Sequence, residues 1–347
     1  MTSNRPGSNR LAGRIAGTYP LGDTYHRSAL EADMIRLTHR VSQLVPEATG
    51  LTLPGQPSTV VIGRAEWIER NVASFTHLME PLQRQLSERI DQSAPGARSA
   101  AVITQRMMQA EMTAVLGVIA RRVLGQYELV LPTGEDGDLV TFVGPNIMQI
   151  ERAHQFRPEE FRFWVALHEL THRAQFQGVP WLRDYFMGLV AELVEQSRPE
   201  PGRLGRVMEE MSRRRGAGDP VIDERGLLGL FASAEQRVVI DKVQALMSLL
   251  EGHGHVVMDR LGQEHLRSQE RMSKVLKARR KDKRTAAFFR LTGLEMKMNQ
   301  YLRGELFIKA VEREAGWETI GLAFRGAGSL PTLEEIEDPG RWLRRVA

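Results

Sequence analysis

The chain has 347 residues and a formal net charge of +4, and hydrophobic and charged residues make up 42% and 26% of it. These values are ordinary for a soluble globular protein. The absence of cysteine excludes disulfides, thiolate metal sites and cysteine nucleophiles. No apolar run approaches the roughly 18–20 residues of a membrane span, and the polar N-terminus lacks the apolar segment of a secretory signal. We therefore expect a cytoplasmic protein without a membrane partner.

The order of apolar and polar residues predicts a mainly helical fold with a small β element. Residues 1–20 are expected to be a flexible N-terminal tail, and residues 21–347 the folded domain, which can comprise two subdomains that flank a cleft. Short β-strand patterns lie at residues 60–62, 127–131 and 139–143. Helical patterns cover residues 27–45, 64–92, 98–125, 158–177, 181–197, 232–261, 263–280 and 285–313.

Two connecting segments have functional interpretations. The turn at Thr133–Asp138 predicts that the strands on either side of it form a hairpin. The second strand, Leu139–Val143, can offer a sheet edge to an extended substrate, or the hairpin can simply cap the core. Further on, Arg198–Gly218 is rich in Pro, Gly and Arg and is a candidate mobile loop or lid.

The most informative motif is His168-Glu169-Leu170-Thr171-His172, which has the pattern HExxH. Residues four apart lie on one face of a helix, so both imidazoles can reach one metal ion. Glu169 lies about 100° around the helix from His168, where a general base for a zinc-activated water is needed. Pro158 and Gly178 are suited to the two ends of such a helix. A bare HExxH also arises by chance, so the third ligand decides how informative the match is.

Catalytic zinc sites usually have three protein ligands and a water. Glu192 is one candidate for the third ligand, because it lies 20 residues after His172 on the following predicted helix. The other candidate is Glu251, in an apolar segment that also carries His253, His255 and Asp259.

Glu251, His255 and Asp259 fall on one helical stripe, and His255 is a further possible ligand. Gly252 and Gly254 are costly inside a helix, which suggests close packing against the HExxH helix. The alternative is a helix break at Gly252–Gly254 that puts these polar residues in a surface turn.

Several segments besides HExxH form a set of motifs spread along the chain. They are Trp67–Phe75, Gly125–Tyr127, Gly144–Ile147, Val179–Arg183, Leu249–His253, Gly293–Met298, Gln300–Tyr301 and Leu330–Thr332. As a set they resemble a zincin-like metallohydrolase family of actinobacteria and related bacteria, whose members are often labelled as hydrolases associated with deazaflavin-cofactor biosynthesis. The resemblance covers the chain from about residue 20 onward, although the family usually has Ala where this chain has Gly254.

The resemblance implies a zincin-like fold over residues 21–347 and a hydrolase label, but no particular substrate. The zinc ion is the cofactor that the HExxH motif itself predicts. The Glu251-Gly252 pair is similar to the segment that supplies the glutamate ligand in some other zincins. This similarity favours Glu251 over Glu192 as the third ligand. Tyr301 and His253 are candidates for stabilising an oxyanion, by residue type and by the resemblance of their motifs, although either can be a core or supporting residue. Asp259 is a candidate for orienting a ligand histidine.

A basic segment gives the main competing interpretation. Residues 267–284 contain nine Lys or Arg residues against Glu270 and Asp282, a pattern that can follow phosphates. Aromatic residues are missing from it, however, and a solvated helix face is the preferred interpretation, so we do not expect a nucleic-acid partner.

The sequence therefore predicts a zinc-dependent metallopeptidase that acts on peptides or proteins. His168, His172 and Glu251 would hold the metal, and Glu169 would be the general base. The remaining alternatives are an inactive zincin-like protein that binds a metal or a partner, and a helical nucleic-acid-binding protein.

Overall fold

The structure is a computed structural model, and its helices and small sheet confirm the predicted fold class. It describes residues 13–14, 16–22, 24–80, 112–129, 137–195, 233–280 and 295–346. Most of the expected N-terminal tail, the turn at Thr133–Asp138 apart from its last two residues, and all of Arg198–Gly218 lie outside these residues. None of the helices in the described ranges is long and apolar enough to cross a membrane.

The chain divides into two compact units, and the predicted limits of the domain stay a prediction. The first unit comprises residues 1–47, 52–174 and 266–268, and the second comprises residues 48–51, 175–265 and 269–347. One division, between Ala174 and Gln175, falls inside a continuous helix, Pro158–Gly178.

In its described residues, the first unit contains a three-stranded sheet, the helical residues 112–119 and most of four further helices. The strands are β1 (Ser58–Ile62), β2 (Gly125–Tyr127) and β3 (Leu139–Val143), in the order β1-β3-β2. β3 is parallel to β1 and antiparallel to β2. The helices are α1 (Tyr25–Thr49), α2 (Arg64–Leu78), α3 (Gly144–His154) and α4 (Pro158–Gly178).

The expectation that Leu139–Val143 offers a sheet edge is wrong. β3 is the central strand, because β1 pairs with it from one side and β2 from the other. Its residues Val140–Val143 are all buried, which agrees with a strand covered on both faces. The antiparallel pairing with β3 was predicted, but the strand is Gly125–Tyr127, whereas the sequence placed it at residues 127–131. The parallel pairing of β1 with β3 was not foreseen.

Helix α4 is buried around much of its circumference and is fixed by two arginines. Pro158 and the acidic Glu159 and Glu160 occupy its first turn, where a missing N–H is tolerated and negative charge is favourable. Arg162 binds both carboxylate oxygens of Glu151 on α3, at 2.8 and 2.9 Å. Burial raises the pKa of Glu151, although the hydrogen bonds from Arg162 lower it.

The second arginine, Arg173, directly follows the HExxH motif and is fully buried. Its Nε donates to Asp138 Oδ1 at 2.8 Å, and its Nη2 donates to the carbonyl oxygen of Pro54 at 2.6 Å. Since Asp138 directly precedes β3, Arg173 ties the helix to the start of the central strand. Removing one partner of such a buried pair is usually strongly destabilising.

Among its described residues, the second unit contains helices and no β-strand. Two 3₁₀ segments, Trp317–Phe324 and Ala327–Ser329, lie near its end. Its helices are α5 (Leu182–Glu195), α6 (Ala234–His265), α7 (Gln269–Arg280), α8 (Glu295–Ala315), α9 (Leu333–Glu337) and α10 (Pro339–Val346).

Helix α6 is unbroken, so the alternative of a helix break at Gly252–Gly254 is wrong. A Cβ atom added at Gly252 would overlap the backbone of Gly304 on α8, and one added at Gly304 would overlap the carbonyl oxygen of Ser248. The close approach at Gly252 therefore involves α8, whereas the sequence suggested the HExxH helix as the partner. Paired glycines let the two helix backbones touch where any side chain would hold them apart.

Candidate metal centre

His168 and His172 lie one turn apart on α4, as the helical spacing requires. Their Nε2 atoms are 3.3 Å apart, and both side chains are partly exposed. Two nitrogens that bind one tetrahedral zinc ion at about 2.0–2.1 Å stand about 3.3 Å from each other. The imidazoles thus already have the separation that a shared zinc ion would impose, although an N–H···N hydrogen bond would also fit this distance.

The third member of the group is a carboxylate on α6. The potential ligand atoms of His168, His172 and Glu251 all lie within 4.8 Å of one another. Glu251 is 7% exposed, and burying a carboxylate is costly unless a cation or hydrogen-bond donors compensate it. Two imidazoles and one carboxylate are a donor set typical of catalytic zinc, so the residues present fit that ion.

The other acidic and histidine candidates lie elsewhere. Glu192 is an exposed residue of α5 and does not belong to the group formed by His168 and His172. His255 is buried on α6, and it is likewise outside this group. Asp259 accepts a hydrogen bond from Gln269 Nε2 at 2.8 Å. Its role in orienting a ligand histidine stays a prediction.

Glu169 lies against strand β2, at a position where the strand has no side chain. A Cβ atom added at Gly125 would lie 2.7 Å from Cγ and 2.8 Å from Oε1 of Glu169. Such contacts are too short for an alanine unless Glu169 moves. Gly125 therefore creates the space that the carboxylate of Glu169 occupies. The sequence marked Gly125 only as part of a motif, because no local pattern links it to a residue 44 positions later.

A polar network fixes the next residue of β2. Gln126 Oε1 accepts a hydrogen bond from Trp67 Nε1 at 2.9 Å, and Gln126 Nε2 donates to Asn71 Oδ1 at 3.2 Å and to Glu128 Oε2 at 2.8 Å. Burial raises the pKa of Glu128, against smaller lowering effects of Thr141, Gln126 and Arg70. Successive residues of a strand point to opposite faces. The network therefore holds β2 against α2 on the face opposite Glu169.

Of the two candidates for stabilising an oxyanion, only His253 has a described side chain. The side chain of Tyr301 lies outside the described residues. His253 is 1% exposed and stacks on Trp317, with 5.6 Å between ring centroids, while Phe324 meets it edge-on. His253 also lines a pocket of about 390 Å³ in the second unit, together with Trp181, Trp317 and Phe324. These contacts are those of a packed supporting residue.

The described part of the basic segment forms helix α7, Gln269–Arg280. Residues 281–284 are outside the described ranges. A helix with this composition is compatible with the solvated face that the sequence favours.

Comparison with known proteins identifies the family of the chain. A family profile described as "Zincin-like metallopeptidase" matches residues 6–343, which is nearly the whole chain. The chain belongs to this family. Zincin-like proteins carry the HExxH motif on a helix, as α4 does here, and the family membership supports interpreting the His-His-Glu group as a metal centre.

One solved structure is similar along nearly the full length of both chains. It is the crystal structure of a "putative hydrolase with a novel fold" from Chloroflexus aurantiacus, with 28% sequence identity and a TM-score of 0.72. The similarity covers 98% of this chain and 97% of that one. No curated protein sequence matches the chain.

Proposed function

We propose that the protein is a zinc-dependent metallopeptidase in which His168, His172 and Glu251 hold the metal. The observation that carries the proposal is the 3.3 Å separation of the two Nε2 atoms, with a buried carboxylate in the same group. Membership of the zincin-like metallopeptidase family supports peptide hydrolysis over other hydrolytic reactions.

Zinc held there would polarise the scissile carbonyl and lower the pKa of a water, which makes that water easier to deprotonate. Glu169 would accept one proton of the attacking water on a carboxylate oxygen while the water oxygen bonds to the carbonyl carbon. The resulting carboxylic acid would give this proton to the amide nitrogen as the carbon–nitrogen bond breaks. Gly125 leaves room for the Glu169 carboxylate, which is 5% exposed at the residue level. An almost dry environment favours proton transfer between partners that are already in place.

The sheet suggests how a peptide is held. In the described part of the sheet, β2 is an edge strand, and a Cβ atom added at its Gly125 would collide with Glu169. We propose that an extended substrate pairs with the backbone of β2, in place of the role that the sequence gave to Leu139–Val143. Backbone pairing would give affinity with little side-chain specificity.

Other parts of the proposal rest on the sequence alone. From the motif resemblance, we infer that the chain is related to the zincin-like metallohydrolases that are labelled as associated with deazaflavin-cofactor biosynthesis. From its composition, we propose a cytoplasmic setting with peptides or proteins as partners. Tyr301 and His253 stay candidates for contact with the oxyanion, although the packing of His253 favours a supporting role.

The test separates catalysis from metal binding. Glu169→Gln keeps the size of the side chain but cannot accept the proton at neutral pH. We expect it to retain about one zinc per chain, while chelator-sensitive cleavage of a peptide library falls by at least about 10²-fold, the lower end of general-base contributions. Cleavage products are identified by mass spectrometry, and zinc is measured by elemental analysis.

Two controls make this result decisive. His168→Ala combined with His172→Ala should lose both zinc and cleavage, and equal zinc content in this double variant would remove the motif from the metal site. Cleavage by Glu169→Gln at the wild-type rate would remove Glu169 from the mechanism. Chelator-insensitive or absent cleavage of all peptides, with zinc bound, would favour a metal-binding protein without turnover.

A further inference from the structure

A buried amide on the HExxH helix reaches the helix that carries Glu251. Gln175 lies three residues after His172 on α4 and is fully buried. Its Nε2 donates to the carbonyl oxygen of Leu250 at 2.9 Å and lies 3.0 Å from His253 Nδ1. A buried primary amide is costly without hydrogen bonds, so these two contacts make its burial possible.

The partners fix the orientation of this amide. A backbone carbonyl oxygen can only accept, so the atom of Gln175 that faces Leu250 must be the nitrogen. The second hydrogen of the same nitrogen then points to His253 Nδ1, which must be the acceptor. His253 therefore carries its ring proton on Nε2, and its ring is held in place by Trp317 and Phe324.

The carbonyl group of Leu250 that accepts this hydrogen bond belongs to the peptide unit that joins Leu250 to Glu251. Peptide units are planar, so a bond to the oxygen of Leu250 also restrains the nitrogen and Cα of Glu251. On the following residue, Gly252 is packed against the backbone of Gly304. The backbone of Glu251 is thus held by Gln175 immediately before it and by α8 immediately after it.

We propose that Gln175 is a positioning residue of the metal centre, which fixes Glu251 relative to the two histidines by binding the Leu250 peptide unit. The inference rests on the proposed metal centre and adds a residue that positions one of its ligands. Gln175 would act through Glu251, so it needs no contact with zinc or substrate. Hydrogen-bonding partners outside a metal's own ligands typically change its affinity by 10–100-fold when they are removed.

The test compares the same substitution at two positions of one helix. Gln175→Met keeps the length of the side chain but removes both donors, and Gln177→Met makes the same change at a half-buried position two residues later. Zinc dissociation constants are measured by competition with a chromophoric chelator. We expect Gln175→Met to weaken zinc binding by about 10-fold or more, and Gln177→Met to leave it within about twofold.

A second background shows whether Gln175 acts through Glu251. In Glu251→Gln the zinc affinity is already reduced. Adding Gln175→Met should change it by no more than about twofold, because the carboxylate that Gln175 positions is no longer present. A merely structural effect of Gln175→Met would lower the affinity in both backgrounds alike. If Gln175→Met does not fold, Gln175→Asn replaces it, since the shortened amide cannot span both partners.

The outcomes separate this inference from the proposed function. Wild-type affinity in folded Gln175→Met or Gln175→Asn overturns the positioning role, while zinc binding by the wild-type protein leaves the metal centre intact. Equal losses in both backgrounds also overturn it. A wild-type protein that binds zinc but cleaves no peptide contradicts only the peptidase activity. A wild-type protein that binds no zinc overturns both.

Discussion

The contact between Gly125 and Glu169 gives a test at the scale of one residue. Gly125→Ala would place a Cβ atom 2.7 Å from Cγ of Glu169, so the carboxylate must move. The two histidines and Glu251 are untouched by this change. We expect zinc content to stay near one per chain while peptide cleavage falls by about 10²-fold, because small misplacements of a reacting group are costly.

Gly63→Ala is the matched control for Gly125→Ala. It lies between β1 and α2, has a φ of −82° and has no atom within 4 Å of an added Cβ. It should therefore keep both zinc binding and cleavage. Unchanged cleavage by Gly125→Ala would contradict the contact with the general base, and loss of cleavage in both variants would point to a general effect on the sheet.

The identity of the third ligand is also decided at single residues. Glu251→Ala removes the buried carboxylate of the group and should weaken zinc binding by at least about 10²-fold, since a direct ligand contributes more than the outer partners that change affinity by 10–100-fold. Glu192→Ala changes an exposed side chain outside the group and should leave the affinity unchanged. Titration against a competing chelator distinguishes them, and a damaging Glu192→Ala would reverse the assignment.

The residues of the candidate site differ in how visible they are in the sequence. The roles of His168, Glu169 and His172 can be predicted from the spacing of a short motif on one helix. Glu251 was preferred to Glu192 through a motif resemblance, and the structure groups it with the histidines. Gly125 and Gln175 were missed because their roles come from contacts with residues far along the chain. Gln175 lies in Arg173-Ala174-Gln175-Phe176-Gln177, and no local pattern distinguishes it from Gln177.

At the scale of the elements, a glycine-to-alanine substitution should change the free energy of unfolding in opposite directions at two helices. The difference is that α8 is in close contact with α6 at Gly304, whereas Gly188 on α5 has open space around it. Alanine favours a helix interior over glycine by about 0.5–1 kcal/mol. Gly188 on α5 has no atom within 4 Å of an added Cβ, so Gly188→Ala should raise the free energy of unfolding by up to about that amount. Gly304→Ala should lower it by about 1–3 kcal/mol, because the new methyl group overlaps the backbone at Ser248.

Urea unfolding followed by circular dichroism measures both of these changes. Gly304 packs against Gly252, the residue that directly follows Glu251. Gly304→Ala should therefore weaken zinc binding, whereas Gly188→Ala should not. A stabilised Gly304→Ala protein would show that the helices can separate there at little cost.

The elements themselves were predicted unevenly, for physical reasons. Long helices such as α4 have a strong 3.6-residue pattern, so α4 was placed to within one residue of its end. The glycines of α6 suggested either a break or a close contact, and only the facing Gly304 decides between them. The order of the strands was not predictable, because β1 joins β3 across about 80 residues of sequence and parallel pairing leaves no turn signal.

At the scale of the whole molecule, the proposed ligands come from distant parts of the chain. Glu251 lies 79 residues after His172, so the unfolded chain does not keep the three ligands together. Zinc should therefore bind the folded protein in preference to the unfolded chain and stabilise it by mass action. This coupling makes thermal stability a readout of the metal centre that does not depend on the substrate.

We expect zinc in excess over its dissociation constant to raise the midpoint of thermal unfolding. At 100 times that constant the stabilisation is about 2.7 kcal/mol, which for a chain of this size corresponds to about 4 °C. The midpoint is followed by scanning calorimetry with zinc and with chelator. Glu169→Gln should show the same increase as the wild-type protein, because it keeps all three ligands, whereas His168→Ala and Glu251→Ala should lose most of it. An equal increase in His168→Ala would mean that zinc stabilises the protein from another site, and the assignment of the metal centre would then fail.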